Sequence, residues 1–393
     1  MFFTNGVLFS GLLPRYPEVK EAFGLSNTAF GFLVICFPIG AILAAAAAAP
    51  LIRAAGARAV TAIGTVLLAV ILSFAGFAPS AVLFAAILLV AGLTDAIVDS
   101  AQNVQGVIVE QWRGRSIINS LHAIWSLGAT SGGLIGTWCA ANGVPLSVQL
   151  PVNGAAWAII ALVAARLATA PGDRHASTEE AQDAELDEAR PAATGIRPWR
   201  LLAPLVVLAI CGTLLEEFAN SWSALFIGRE TDAPAGLAGL GFTIVLASQF
   251  VGRIVGDPMT DRWGREAVAR AGGLVIAVGV LVAMLAPTYL VTFVGFALMG
   301  FGCATLVPAA FAAAARVPGL AHGTGIAILG WLMRLGFLLT SPVIGVISDA
   351  AGLRAALVVP LAAGLVAAVI AHRLATAARR SGHGAKAPAG EPS

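Results

Sequence analysis

Asp95, Asp99, Gln102, Asn103, Gly106 and Glu110 recur at the helical period and share a stripe of about 100° on one strongly apolar helix. An ionisable side chain at the centre of such a helix, if the helix lies in lipid, costs roughly 2.5–3.5 kcal/mol on insertion scales. Each therefore needs a partner, water or a task. Carboxylates on a wet face can carry protons or bind a polar solute. Asp95 and Asp99, four residues apart, have the spacing that chelates Mg²⁺ around a diphosphate. They also suit interhelical hydrogen bonds that only hold neighbours together. In a later block Thr213, Glu216, Asn220 and Ser223 share a face, with Glu217 at its edge. Two adjacent carboxylates in a low-dielectric setting do not both ionise cheaply, so one is expected to hold a proton. The plainer reading places both in an outer vestibule. Asn119, His122, Trp125 and Ser126 lie on one side of another block, where His122 can relay a proton or simply hydrogen-bond. Arg334 stands alone in an apolar run beside Trp331. It is a candidate counter-ion for Glu216 or Glu217 and a candidate fork for a carboxylate or hydroxyl-rich solute. Gln249 adds an amide of the kind that binds sugars or packs between helices.

The elements that carry these residues follow from composition. The chain has 393 residues, 58% hydrophobic and 11% charged, with a mean hydropathy of +0.88. Soluble proteins carry about 25% charged residues, so soluble enzyme folds are excluded. Apolar blocks near 2–14, 28–50, 59–77, 81–109, 116–141, 148–170, 201–226, 237–258, 267–286, 288–312, 322–347 and 351–376 read as twelve membrane-spanning helices. Blocks this uniform are not the alternating segments of a barrel. The fold class is therefore an all-α integral membrane protein. The first block is too short for a roughly 30 Å core, and without a charged n-region it does not read as a signal peptide; the true start is expected upstream. Eighteen of the 23 basic residues, Arg53, Arg58, Arg166, Arg253 and Arg270 among them, fall on one side of this map. Only Arg15, Lys20, Arg229 and Arg354 fall on the other. The basic side is expected to be cytoplasmic and to hold both termini. Residues 171–200 carry seven of the 21 acidic residues and read as a solvated linker between a bundle at 1–170 and another at 201–377, with a disordered tail at 378–393. Cys36, Cys139, Cys211 and Cys303 fall singly in separate blocks, which implies neither disulfides nor a metal site. No basic, aromatic-studded patch suggests nucleic acid, and no cofactor motif is seen.

A shift of 208 residues superposes Pro50 on Pro258, Gly56 on Gly264, Arg58 on Glu266 and Gly92 on Gly300. Two six-span halves in the same sense are a parallel repeat, which transporters use to place a site between halves. The stretch GDPMTDRWGR at 256–265 resembles the loop signature of the major facilitator superfamily, with Gly256, Asp257, Asp261, Arg262, Gly264 and Arg265 as its gating residues. The matching loop of the first half, APLIRAAGAR at 49–58, has Arg53 in the aspartate's place and Ala54 in the arginine's. It keeps the turn and loses the latch. Three further stretches are similar to bacterial members related to the rhizopine-uptake membrane protein of rhizobia and to fucose-permease-like porters. They are FFTNGVLFSGLLPRYPEVKEAFGLS at 2–26, DAIVDSAQNVQGVIVE at 95–110 and SLHAIWSLGATSGGLIG at 120–136. The drug-antiporter pattern of the fifth helix is half matched: Gly128 and Gly132 are followed by Gly133 where proline is expected.

The resemblance implies that the first, fourth, seventh and tenth helices line a central cavity. The candidate substrate residues are then Asn5, Asp95, Asp99, Asn103, His122, Trp125, Asn220, Gln249 and Arg334, and the candidate proton carriers Asp95, Asp99, Glu216 and Glu217. The expected function is secondary transport of a sugar- or cyclitol-like solute by alternating access, coupled to protons, in a bacterial inner membrane and as a monomer. ATP is not the driver, since no Walker A loop occurs. The alternatives are drug or metabolite efflux on the same fold, and an intramembrane enzyme acting on a diphosphate.

Overall fold

Runs of Ala, Leu, Val and Gly longer than 18 residues leave the backbone no partner but itself once water is removed, so they fold as helices. The protein is seen in a computed structural model that describes residues 1–113, 118–168, 196–314, 317, 320 and 324–383. Twelve crossings follow one another: α1 (Phe2–Ser10), α2 (Asn27–Val34, Cys36–Leu43 and Ala45–Ala55 end to end), α3 (Ala57–Ala75), α4 (Ala81–Arg113), α5 (Ile118–Ala141) and α6 (Leu146–Leu167). The second half has α7 (Ile196–Glu230), α8 (Leu240–Trp263), α9 (Arg265–Leu285), α10 (Tyr289–Cys303, then Leu306–Ala314), α11 (Thr324–Leu332 and Arg334–Ala351) and α12 (Leu353–Ala356 and Val358–His383). There is no strand among the described residues.

The expected spans hold to within a few residues, with three differences. Residues 171–195 of the expected linker lie outside the described residues, as do 169 and 170, and its last five, 196–200, already belong to α7. The last helix continues past the expected end at 377 to His383, and residues 384–393 lie outside the described part. The first helix, shorter than expected, is followed by a 3₁₀ turn at Leu13–Arg15 and a short helix at Tyr16–Ala22. Arg15 pins that corner: buried, it donates to the Gln149 side chain, to Glu18 Oε1 at 2.5 Å and to the Val144 carbonyl at 2.8 Å.

The 208-residue repeat is physical. Gly56 and Gly264 precede α3 and α9 at φ of 82° and 83°, a left-handed backbone that side chains rarely adopt. A Cβ on Gly92 would run into the Phe37 carbonyl. One on Gly300 would run into the carbonyl of Val245, 208 residues further on.

The halves meet along two seams, α2 against α11 and α5 against α8. Among the described residues eight crossings are long and apolar enough to span lipid unaided, and α2 joins them only if its two arms, bent by 55°, count as one span. The crossings outside that set are α1, α2, α5 and α8, three of which form these seams. Helices shielded by protein on one side tolerate polar and small residues that a lipid-facing helix does not. At the end of the molecule away from the linker, the seams are shut. Gly31 packs on the Ser341 backbone, Gly345 on Asn27, and Gly239 on Thr137 and Pro14.

Candidate functional site

A cavity of about 160 Å³ lies between the halves, faced by α1, α4 and α5 on one side and by α7, α8, α10 and α11 on the other. The row Gly128, Gly132 and Gly136 on α5 lets α1 approach backbone to backbone: their missing Cβ atoms would strike the carbonyls of Phe3, Val7 and Gly11. That approach brings three polar side chains into one chain. Trp125 Nε1 donates to Asn5 Oδ1 at 2.8 Å, and Asn5 Nδ2 donates to Asp95 Oδ1 at 2.8 Å. Asn5 thus holds one carboxylate oxygen, and Asp95 lines the cavity.

The facing wall is built on α7 and α8. Gln249 Nε2 donates to Glu216 Oε1 at 2.6 Å, and Arg253 Nη2 reaches the same oxygen at 3.2 Å. Gln249 and Arg253 are one helical turn apart, so both fall on the face turned toward α7. The second amine of Arg253 donates to Ser126 Oγ at 3.1 Å, bridging α8 to α5 and hence one half to the other. Asn220 sits one turn beyond Glu216, and Phe9, Phe242 and Phe337 supply apolar walls.

Asn5, Asp95, Trp125, Glu216, Asn220 and Gln249 therefore converge on the cavity, while Asp99, Asn103, His122, Glu217 and Arg334 do not line it. Neighbouring residues on a helix point about 100° apart. Glu216 accordingly faces the cavity and Glu217 faces α11, where it is buried and accepts from Ser221 Oγ at 2.6 Å and Ser341 Oγ at 2.7 Å. Trp222 Nε1 donates to Ser341 Oγ at 3.0 Å and completes that cluster. Asp99 lies toward the linker end of α4 within electrostatic reach of His122 and Arg334. His122 meets the Phe2 ring edge to face at 5.6 Å, and Asn103 donates to the Asp99 carbonyl at 2.9 Å. The Asn119 side chain lies outside the described residues.

Two readings are corrected. Arg334 is not the counter-ion of Glu216 or Glu217: it follows the break in α11 and donates to the Ala41 carbonyl of α2 at 3.1 Å, across the seam. The counter-ion is Arg253, which charge counting had assigned to the cytoplasmic surface. The signal was present in the sequence, because Arg253 falls inside the eighth apolar block and one turn from Gln249.

In the loop signature, Gly264 makes the turn into α9, Gly256 packs on Thr305, and the Arg262 guanidinium lies 5.8 Å from the Trp263 ring centre. Asp261 and Arg265 are exposed, and Asp261 has no hydrogen bond or ion pair among the described residues. The Asp257 side chain lies outside the described part. The engaged latch is at the opposite end. Asp349, near the end of α11, accepts from the Asn27 backbone N–H at 2.9 Å and that of Thr28 at 2.7 Å, at the start of α2. Asn27 Nδ2 donates to Ser348 Oγ at 2.9 Å. An acid in the last turn of a helix opposes that helix's own dipole, which is the sequence sign that it serves the N-terminus of another.

Two six-helix halves around a central cavity with polar groups on both walls are the architecture of a membrane transporter. The profile of the Major Facilitator Superfamily matches residues 1–222 and 205–392, and the chain belongs to that superfamily. It is 28% identical over 357 residues to an uncharacterized MFS-type transporter of Yersinia pestis, covering 90% of this chain and 89% of that one. It is 27% identical over 373 residues to membrane protein MosC of Rhizobium meliloti, covering 93% and 86%. Its fold matches the crystal structure of a D-xylose-proton symporter with a TM-score of 0.74 at 16% identity, over 94% of this chain and 95% of that one. The family and these relatives are transporters, so the diphosphate-binding enzyme reading of Asp95 and Asp99 is set aside.

Proposed function

We propose that this transporter moves a small hydroxyl-rich solute, of sugar or cyclitol type, by alternating access coupled to protons. The observation that carries the reading is the composition of the cavity. Asn5, Asp95, Asn220, Gln249 and Arg253 offer donors and acceptors on facing walls, and Trp125 and three phenylalanines offer surfaces for a ring. A cavity of about 160 Å³ is small beside the roughly 300–1,000 Å³ of pockets for drug-sized ligands, which suits a small solute better than a bulky lipophilic drug. The proton carriers are sought among Asp95, Asp99, Glu216 and Glu217. One proton moving through 100 mV supplies about 2.3 kcal/mol, enough for roughly a 50-fold gradient of a neutral solute. With both termini and the linker on the cytoplasmic side of an inner membrane, the shut seams are external and the state seen is inward-facing. The protein works as a monomer on this reading, since one chain supplies every residue that lines the cavity.

Purified protein in proteoliposomes, presented with radiolabelled sugars and cyclitols under an imposed proton gradient, tests this. Accumulation of a member of that panel is expected, and it should fall to equilibration when the gradient is collapsed. Accumulation indifferent to the gradient refutes the coupling. Transport of lipophilic drugs with no sugar or cyclitol flux refutes the solute class.

A further inference from the structure

We infer that the groove between α3 and α6, at the linker end of the molecule, is a binding site for the headgroup of an anionic phospholipid. It is lined by Gly56, Arg58, Ile63, Leu162 and Arg166 together with four alanines, and has a volume of about 370 Å³. Among the described residues no acidic side chain lines it. Arg58 donates through Nη1 to the Ala168 carbonyl at 2.9 Å, which fixes the guanidinium over the end of α6 and leaves its other N–H groups for a ligand. Arg166 faces it from the other wall, and both are exposed. Below the two arginines the groove turns apolar, and it continues into a lipid-facing band where Ile63 is 65% and Leu162 42% exposed. Two cations above an apolar furrow match a phosphate diester carried on acyl chains. Basic pockets between membrane helices at the bilayer surface hold acidic lipids in this way, and arginine suits phosphate through its paired donors.

The fold supplies an internal control. At the same place in the second half, 208 residues on, Gly264 repeats the turn of Gly56, yet Glu266 stands where Arg58 stands and Leu374 where Arg166 stands. The architecture therefore does not require two arginines here. They are a property of the first half alone, which is what a ligand site predicts and a packing requirement does not.

The test uses the full chain in a neutral detergent, with native mass spectrometry and thermal shift as readouts. The probes are a dioleoyl phosphatidylglycerol, a dioleoyl phosphatidylcholine and soluble glycerol 3-phosphate. The phosphatidylglycerol is expected to be retained and to raise the melting temperature more than phosphatidylcholine does. In the Arg58→Gln/Arg166→Gln double variant that preference should weaken about 10- to 30-fold, the size of two basic contacts at a membrane surface. Arg373→Gln, an exposed arginine on α12, should keep it. Should the double variant fail to fold, Arg58→Glu copies a residue the fold accepts at 266, and it should lose the preference with the fold intact. Equal preference in wild type and variants overturns the site. Equal stabilisation by glycerol 3-phosphate overturns the lipid as its occupant.

Discussion

Replacing Asp349 with alanine takes away the acceptor that joins the end of α11 to the first backbone N–H groups of α2. Those two bonds exist only while the linker-distal mouth is shut, so their loss acts on one side of the conformational equilibrium. Deleting a side-chain cap of this kind typically costs ~1 kcal/mol, within a range of about 0.5–2. The contact is exposed, and water satisfies the freed N–H groups once the mouth opens, so ~1 kcal/mol is the appropriate size. That is about a fivefold shift from shut to open. Asparagine keeps one acceptor oxygen but turns an N–H donor toward the second backbone N–H, so Asp349→Asn should retain only part of the shut population. Spin labels at Ser80→Cys and Pro287→Cys, one on each half at this end, report the opening as a distance distribution by pulsed electron resonance once the four native cysteines are replaced. The long-distance fraction should grow about fivefold in Asp349→Ala, with Asp349→Asn falling between the wild type and Asp349→Ala. An unchanged distribution, or the same change in both variants, refutes the reasoning.

Arg253→Ala leaves Glu216 with Gln249 as its described partner and cuts the bridge to Ser126. Substrate-dependent flux should fall at least tenfold with the protein still monodisperse, and a fully active variant would remove Arg253 from the site. On the α1–α5 contact, Gly132→Val places a Cβ 2.6 Å from the Val7 carbonyl, a backbone atom that cannot yield. A destabilisation of about 1–3 kcal/mol or more is expected, read as a lower melting temperature. Gly228→Ala, whose new Cβ meets Ala238 Cβ at 3.5 Å, serves as the tolerated control.

Most of the crossings were legible because lipid imposes one rule on them, twenty or so apolar residues between charged ends. Half of the cavity was legible for a related reason, since Asp95, Glu216, Asn220 and Gln249 are polar where lipid would forbid it. What composition could not give was direction. Glu216 and Glu217 are equivalent on paper, and a rotation of about 100° sends one to the cavity and the other into the serine cluster on α11. Arg253 was hidden by its length of side chain, since an arginine near the end of a span reads as a surface residue until a partner is seen across the bundle. Arg334 was misread for the opposite reason: its isolation suggested an ion pair, whereas a carbonyl of α2 takes its proton donor. The Asp349 latch joins residues 322 apart in the chain, and no local pattern names its partner.

The crossings that are short or bent, α1, α2, α5 and α8, also bear on how the protein is made. α2 leaves the ribosome about 300 residues before the stretch of α11 that covers it, which at 5–20 residues per second is roughly 15–60 s of synthesis. Through that interval the seam face of α2 has no second half to cover it, and the face of α5 waits about 120 residues for α8. The first six helices must therefore shelter those faces among themselves or against the insertion machinery. Assembly of this chain is a late docking of two halves, and a variant that weakens the seam should show its defect first as slow maturation and only afterwards as lost transport.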